Sequence, residues 1–206
     1  MAFHSLSLRF LAAMMHGPAA GLNEIRLERF RHRLRRLRAA GLQAGRPMFH
    51  HWSTFIDEEY CHLISIGSYC GLSSEVKIFA HDPTPQSHLG AVRVGRVLIH
   101  DGCHLGVRTI VMPGVEIGPR TIVAARSVVT SDLPSDSFCA GNPARPYATL
   151  EQYLDGHRKK LADATLFPSD ESRVGFSPQR RAEVMAAVSR GDTYIVSRAE
   201  YEERKR

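Results

Sequence analysis

From residue 66 onward the aliphatic residues of this chain recur every six positions. Ile66, Leu72 and Ile78 open the hexads IGSYCG, LSSEVK and IFAHDP. After a gap, Ile99, Leu105, Val111, Ile117, Val123 and Val129 open IHDGCH, LGVRTI, VMPGVE, IGPRTI, VAARSV and VTSDLP. The fifth place is small or branched at Cys103, Thr109, Val115, Thr121 and Ser127. A period of six matches neither the helical repeat nor strand alternation alone. It predicts a mainly β protein, a parallel β-helix in which each hexad supplies one short strand and one corner. Three hexads then close a triangular coil, and the opening residues stack inside it. Gly67, Gly106 and Gly118 hold second places, where a tight corner tolerates little Cβ bulk. Arg108 and Arg126 hold fourth places 18 residues apart. They are expected to stack on one outer edge, where unpaired like charges repel and favour an anion nearby; two arginines splayed into water are the simpler alternative.

Between Ile78 and Val97 the rhythm stops. The segment HDPTPQSHLG suits an excursion loop over 82–92, since Asp82-Pro83 favours a turn and Pro85 cannot donate to a ladder. His81 stands at the root of that loop. Upstream, Leu27, Phe30, Leu34 and Leu37 are spaced by three and four, which predicts an amphipathic helix with arginines over its other face. Downstream, Thr149 and Gln152 make a capping box, Ser177-Pro178 opens a second helix, and Ser197 with Glu200 caps a third. Residues 164–176 read as a connecting loop. The expected organisation is a basic helical arm over 1–50, the β-helix over 51–148 and a helical extension over 149–206.

Composition adjusts this picture in three ways. At 206 residues and 43% hydrophobic content the chain can bury a proper core as one domain with appendages. The apolar run FLAAMM at 10–15 is too short to span a bilayer and no convincing cleavage pattern follows it, so a soluble cytoplasmic protein is expected. Cys61, Cys70, Cys103 and Cys139 form no CxxC pair, which suits reduced, packed thiols. The net charge of +6 belongs to the arm: residues 1–46 hold nine arginines against Glu24 and Glu28. That face suits peripheral contact with an acidic membrane surface or an anionic substrate; the simpler reading is a solvated face on a helix docked by its leucines. With no recognition motif and no interleaved aromatics, nucleic acid is not an expected partner.

The stretch IGPRTIVAARSVVTSDLPSDSFCAGNPAR, residues 117–145, resembles the closing coils of the left-handed β-helix acyltransferases, the hexapeptide-repeat family that uses acetyl-CoA. The longer run from FIDEEYC to GNPAR is similar to its sugar and polysaccharide acetyltransferase branch, and the likeness covers residues 54 to 157. The resemblance implies a left-handed coil, against the usual crossover rule. It implies acetyl-CoA as acyl donor with no metal, and a homotrimer whose active sites lie between neighbouring prisms. It also implies that His81 is the general base, a task that suits an imidazole able to take and return a proton near neutral pH. Donor contacts are implied at Gly106, Val107, Ala125, Thr130, Ser131 and Arg145, with Arg145 toward phosphate or ribose. Backbone N–H groups near Val107 are candidates for holding the tetrahedral oxyanion. Trp52, Asp57, Glu58 and His88 are candidate walls for the acceptor. Three positions depart from the family pattern: Arg126 and His100 stand where glycine is usual, and Ser131 where lysine is common.

The expected function is transfer of an acetyl group from acetyl-CoA to a hydroxyl of a sugar, glycan precursor or similar small molecule. N-acetylation of an amino sugar or amine uses the same base and donor. A zinc lyase like the γ-type carbonic anhydrases, which place three histidines around a metal between subunits, would instead use His81, His100 and His104. A non-catalytic β-helix scaffold is the remaining reading.

Overall fold

The computed structural model describes residues 20–46, 48–169 and 177–204, so the FLAAMM run lies outside the described residues. Every hexad opener from Ile66 to Val129 is buried to 3% exposure or less. The fifth places Cys70, Val76, Cys103, Thr109, Val115, Thr121 and Ser127 are buried with them. The polar members of that set find partners: Thr109 Oγ1 donates to Ala124 O at 3.2 Å and Thr121 Oγ1 to Pro134 O at 2.6 Å. Buried hydroxyls so satisfied add no desolvation cost to the core.

Three parallel sheets form the faces of the prism. One runs Gln43–Ala44, Ile64–Ile66, Val97–Ile99, Glu116–Ile117; the second Phe49–His50, Gly71–Leu72, His104–Leu105, Ile122–Val123, Ser137–Gly141; the third Phe55–Ile56, Lys77–Ile78, Ile110–Val111, Val128–Val129. Uninterrupted coils pair residues 18 apart, as Leu105 with Val123 and Val111 with Val129. Ile66 pairs with Ile99, a separation of 33, so 15 residues leave the prism at the excursion. The first coil is hidden in the sequence. Ala44, His50 and Ile56 stand opposite Ile66, Leu72 and Ile78, so the coil begins at Gln43, inside the segment expected to be helical arm. Ala44 and His50 carry no aliphatic signal, and four extra residues before Ile66 shift the frame.

The corners have one recurring feature. The fourth place of the hexad lies in the left-handed region at Tyr69, Glu75, Arg108, Arg120 and Arg126, with φ between 54° and 62°, and at Gly102 and Gly114. A side-chain-bearing residue there costs about 1 kcal/mol or more. The second-place glycines serve another need: a Cβ on Gly106 would lie 2.5 Å from Ala125 N, and one on Gly118 2.5 Å from Ser135 N.

The helix Ala20–Ala39 docks through Phe30, Leu34 and Leu37, all buried, while Arg29, Arg31, Arg35 and Arg36 face outward; the Leu27 side chain lies outside the described residues. Leu42 N donates to Leu37 O at 2.9 Å, Gly41 N to Arg38 O at 3.1 Å, and Gly41 has a φ of 106°. This glycine-terminated end buries Leu42 with Leu37 and turns the chain into the first strand. The prism and the helix from Arg26 onward belong to one compact unit, Arg26–Tyr153.

At the far end of the prism, Ala144–Thr149 returns antiparallel beside Ser137–Gly141. The Thr149 capping box follows, with Thr149 N to Gln152 Oε1 at 2.9 Å and Gln152 N to Thr149 Oγ1 at 3.1 Å, opening Leu150–Ala162. The described residues from Leu154 onward belong, with residues 20–25, to a second unit. Its helices Pro178–Val188 and Arg198–Arg204 begin at Ser177 and Ser197 as expected. It is not purely helical: Thr165–Pro168, expected as loop, pairs in parallel with Thr193–Val196 across the helix between them. The four residues of each strand are too few for alternation to show in sequence.

Candidate functional site

The third face ends in the edge strand Phe55–Ile56, and the chain then places Asp57 directly beneath the root of the excursion. Asp57 is 2% exposed. Its Oδ2 accepts from Ala80 N at 3.0 Å, from His81 N at 3.2 Å and lies 2.6 Å from His81 Nδ1; its Oδ1 accepts from Tyr60 N at 3.2 Å. Burial pushes this carboxyl up, but the hydrogen bonds from Ala80, the His81 ring and Tyr60 outweigh it and hold its pKa below the ordinary value. An ionised carboxylate only accepts, so Nδ1 carries the proton toward Asp57 and the neutral imidazole keeps its lone pair on Nε2. The Tyr60 ring packs against the same imidazole with centroids 4.9 Å apart. The His81 side chain stays about a quarter open, at 26%.

His81 and Asp82 form the first strand of a hairpin that closes on Arg93–Val94, with His81 opposite Val94. Asp82 takes no part in holding the ring. Its Oδ1 accepts from Thr84 N at 2.9 Å and Thr84 Oγ1 at 2.5 Å, and these bonds draw its pKa down. The excursion thus leaves the prism through an aspartate-closed turn and carries the exposed one-turn helix Gln86–Leu89.

The acceptor-wall residues are dispersed. Asp57 is engaged by the His81 ring and by the backbone N–H groups of Tyr60, Ala80 and His81. Glu58 lies 2.7 Å from Arg33 Nε, a contact whose N–H is poorly aligned. Trp52 packs partly buried against the core, and His88 is exposed on the excursion. The donor-contact residues cluster better. Val107 O accepts from Arg126 N at 2.8 Å, and Gly106 lies against the backbone of Ala125, so these two corners stack in register. Arg145 Nη1 donates to Ser131 Oγ at 3.2 Å and to Ala144 O at 2.8 Å. Val107, Ala125, Thr130, Ser131 and Arg145 are all exposed.

One expectation changes. Arg108 does not face an unfilled anion site: its Nε and Nη2 donate to Glu75 at 2.9 and 3.3 Å, one coil away. The histidines of the zinc reading are engaged separately. His100 Nε2 lies 2.7 Å from Glu116 Oε1, and His104 lies over Gly71, 3.4 Å from Ser73 Oγ, with burial pushing its pKa down. Among the described residues no group of three or more His, Cys, Asp or Glu side chains is placed to hold a metal ion.

The family profile described as "Bacterial transferase hexapeptide (six repeats)" matches residues 96–131. Protein CapG of Staphylococcus aureus is 34% identical over 125 residues, 57% of this chain and 72% of CapG. The chain belongs to the hexapeptide-repeat acyltransferase family, and its coil is the left-handed β-helix of that family. YvoF of Bacillus subtilis (strain 168), provisionally named an acetyltransferase, is 33% identical over 96 residues, 47% of this chain and 54% of YvoF. The chain thus spans about half the length of YvoF. A solved structure of the hexapeptide-repeat acetyltransferase VCA0836 from Vibrio cholerae, complexed with acetyl-CoA, covers 53% of this chain and 61% of its own at 24% identity and a TM-score of 0.48. Among the described residues no helix is long and apolar enough to cross a membrane.

Proposed function

We propose that this protein transfers an acetyl group from acetyl-CoA to a hydroxyl of a sugar or similar small molecule, with His81 as general base. The observation that carries the reading is the 2.6 Å contact of His81 Nδ1 with the buried Asp57 carboxylate, at the start of the excursion. The thioester supplies the acyl group. His81 Nε2 takes the acceptor's O–H proton as the oxygen bonds to the thioester carbon. The C–S bond then breaks, and the imidazolium returns that proton to the departing sulfur. Asp57 holds the required tautomer and stabilises the imidazolium between those two transfers, the role a buried carboxylate plays behind a catalytic histidine elsewhere. The N–H of Val107 is read as a donor to the oxyanion, since the neighbouring N–H groups of Gly106, Arg108 and Thr109 donate to backbone carbonyls of the coils. Arg145, beside Ser131, is read as the partner of the donor's phosphates or ribose.

An amine acceptor would use the same pair, so the acceptor class is decided by product chemistry. The test is release of free thiol from acetyl-CoA against a panel of sugars, nucleotide sugars, amines and amino acids, with the product identified by mass. A hydroxylated sugar giving the fastest release and an ester product supports the reading. No release with any acceptor favours a scaffold.

The excursion also exposes Leu89, at 77%, with Val92 and Val94. Their exposure supports the expected homotrimer, in which a neighbouring copy would cover them; a solution mass of three chains would bear this out and a monomer would refute it.

A further inference from the structure

One arginine of the N-terminal helix points inward at the strand that leads into Asp57. Arg33 Nη2 donates to Ile56 O at 3.0 Å and Nη1 to Thr54 O at 3.3 Å. Its guanidinium carbon sits 5.4 Å from the centre of the Phe55 ring, and Glu58 lies beside Nε. The reason for this fork is geometric. Phe55–Ile56 is the last strand of its sheet, bonded on one side only: Phe55 N donates to Val76 O and Asp57 N to Ile78 O. The alternate carbonyls, Thr54 and Ile56, therefore face the open edge, where a further coil would supply donors. A planar guanidinium spans two such carbonyls as a single ammonium does not. Arg33 is itself held by Phe30, Leu34 and Leu37, which dock its helix on the prism.

We infer that Arg33 is a positioning residue for the His81–Asp57 pair, fixing residues 54–58 so that the Asp57 carboxylate meets His81 Nδ1; the inference rests on His81 being the base. Arg33 touches no reacting atom. It acts through the backbone that carries Asp57, and the basic helix becomes part of the catalytic apparatus rather than only a charged surface.

The test uses the full chain and three variants: Arg33→Ala, Arg33→Lys and His81→Ala. Arg33→Ala is expected to lower kcat roughly tenfold to a hundredfold with the donor KM unchanged, as a misplaced catalytic group does. Arg33→Lys keeps the charge but not the fork and is expected to recover little. Arg33, Arg36, Leu37, Ala39, Ala40 and Glu58 line an open cavity of about 380 Å³. Millimolar guanidinium is therefore expected to enter it and restore part of the Arg33→Ala turnover. Independently of activity, the low-field proton resonance of His81 Nδ1–H should shift or vanish in both Arg33 variants. Wild-type kcat and an unmoved resonance in Arg33→Lys, with His81→Ala inactive, would overturn the inference alone. An active His81→Ala would instead remove the base, while the resonance still reports whether Arg33 positions the ring.

Discussion

Asp57 and His81 lie 24 residues apart in sequence and 2.6 Å apart in space, joined by the stacking of the first coil on the second. The carboxylate holds four contacts around one point, three of them to backbone N–H groups. Such a group cannot be exchanged cheaply. Asp57→Asn keeps the volume but presents an amide that no longer demands a proton on Nδ1, so kcat is expected to drop by on the order of 100-fold or more. Steady-state kinetics on a folded variant measures this, and an unimpaired Asp57→Asn would deny the carboxylate its role.

The same residue makes stability depend on pH in a stated direction. Its carboxyl is depressed in the folded state, so its contribution is present above the unfolded value, about 4, and is lost as pH falls through the native value. The difference in Tm between wild type and Asp57→Asn is expected to be largest near neutrality and to shrink as pH drops below about 4. Thermal melts across that range test it; a constant difference would contradict the assignment.

Two glycine substitutions separate close approach from helix propensity. Gly106→Ala drives a Cβ to 2.5 Å from Ala125 N in the next coil and is expected to cost about 1–3 kcal/mol. Gly156→Ala, inside Leu150–Ala162 with nothing within 4 Å, should gain about 0.5–1 kcal/mol. Denaturant midpoints of the two should move in opposite directions.

At Arg126, with a φ of 62°, the backbone prefers a residue without Cβ. Arg126→Gly is expected to keep or raise the melting temperature, whereas Arg126→Val should lower it by more than about 1 kcal/mol's worth, because β-branching is least compatible with that region. Equal melting temperatures for the two would show that the corner relaxes.

How much of this was legible beforehand follows from the kind of signal each feature leaves. The coils from Ile66 to Val129 announce themselves because every opener is aliphatic and buried. The first coil does not, since Ala44 and His50 stand at its openings. The place of His81 at the root of the excursion was legible through the break in rhythm and the Asp82-Pro83 turn. Its partner was not: Asp57 pairs across coils of unequal length, so neither a spacing of 18 nor a local motif points to it. Arg33 was hidden by its neighbours. In a helix with so many arginines, nothing local marks Arg33 as turning toward the carbonyls of Thr54 and Ile56.

The measurement that bears most directly on the central claim is thiol release from acetyl-CoA by wild type and His81→Ala, with the best acceptor and matched circular dichroism. The account predicts that the variant folds normally and loses turnover by at least about 100-fold, as expected when a general base is removed. A folded His81→Ala protein that releases thiol at the wild-type rate would contradict it.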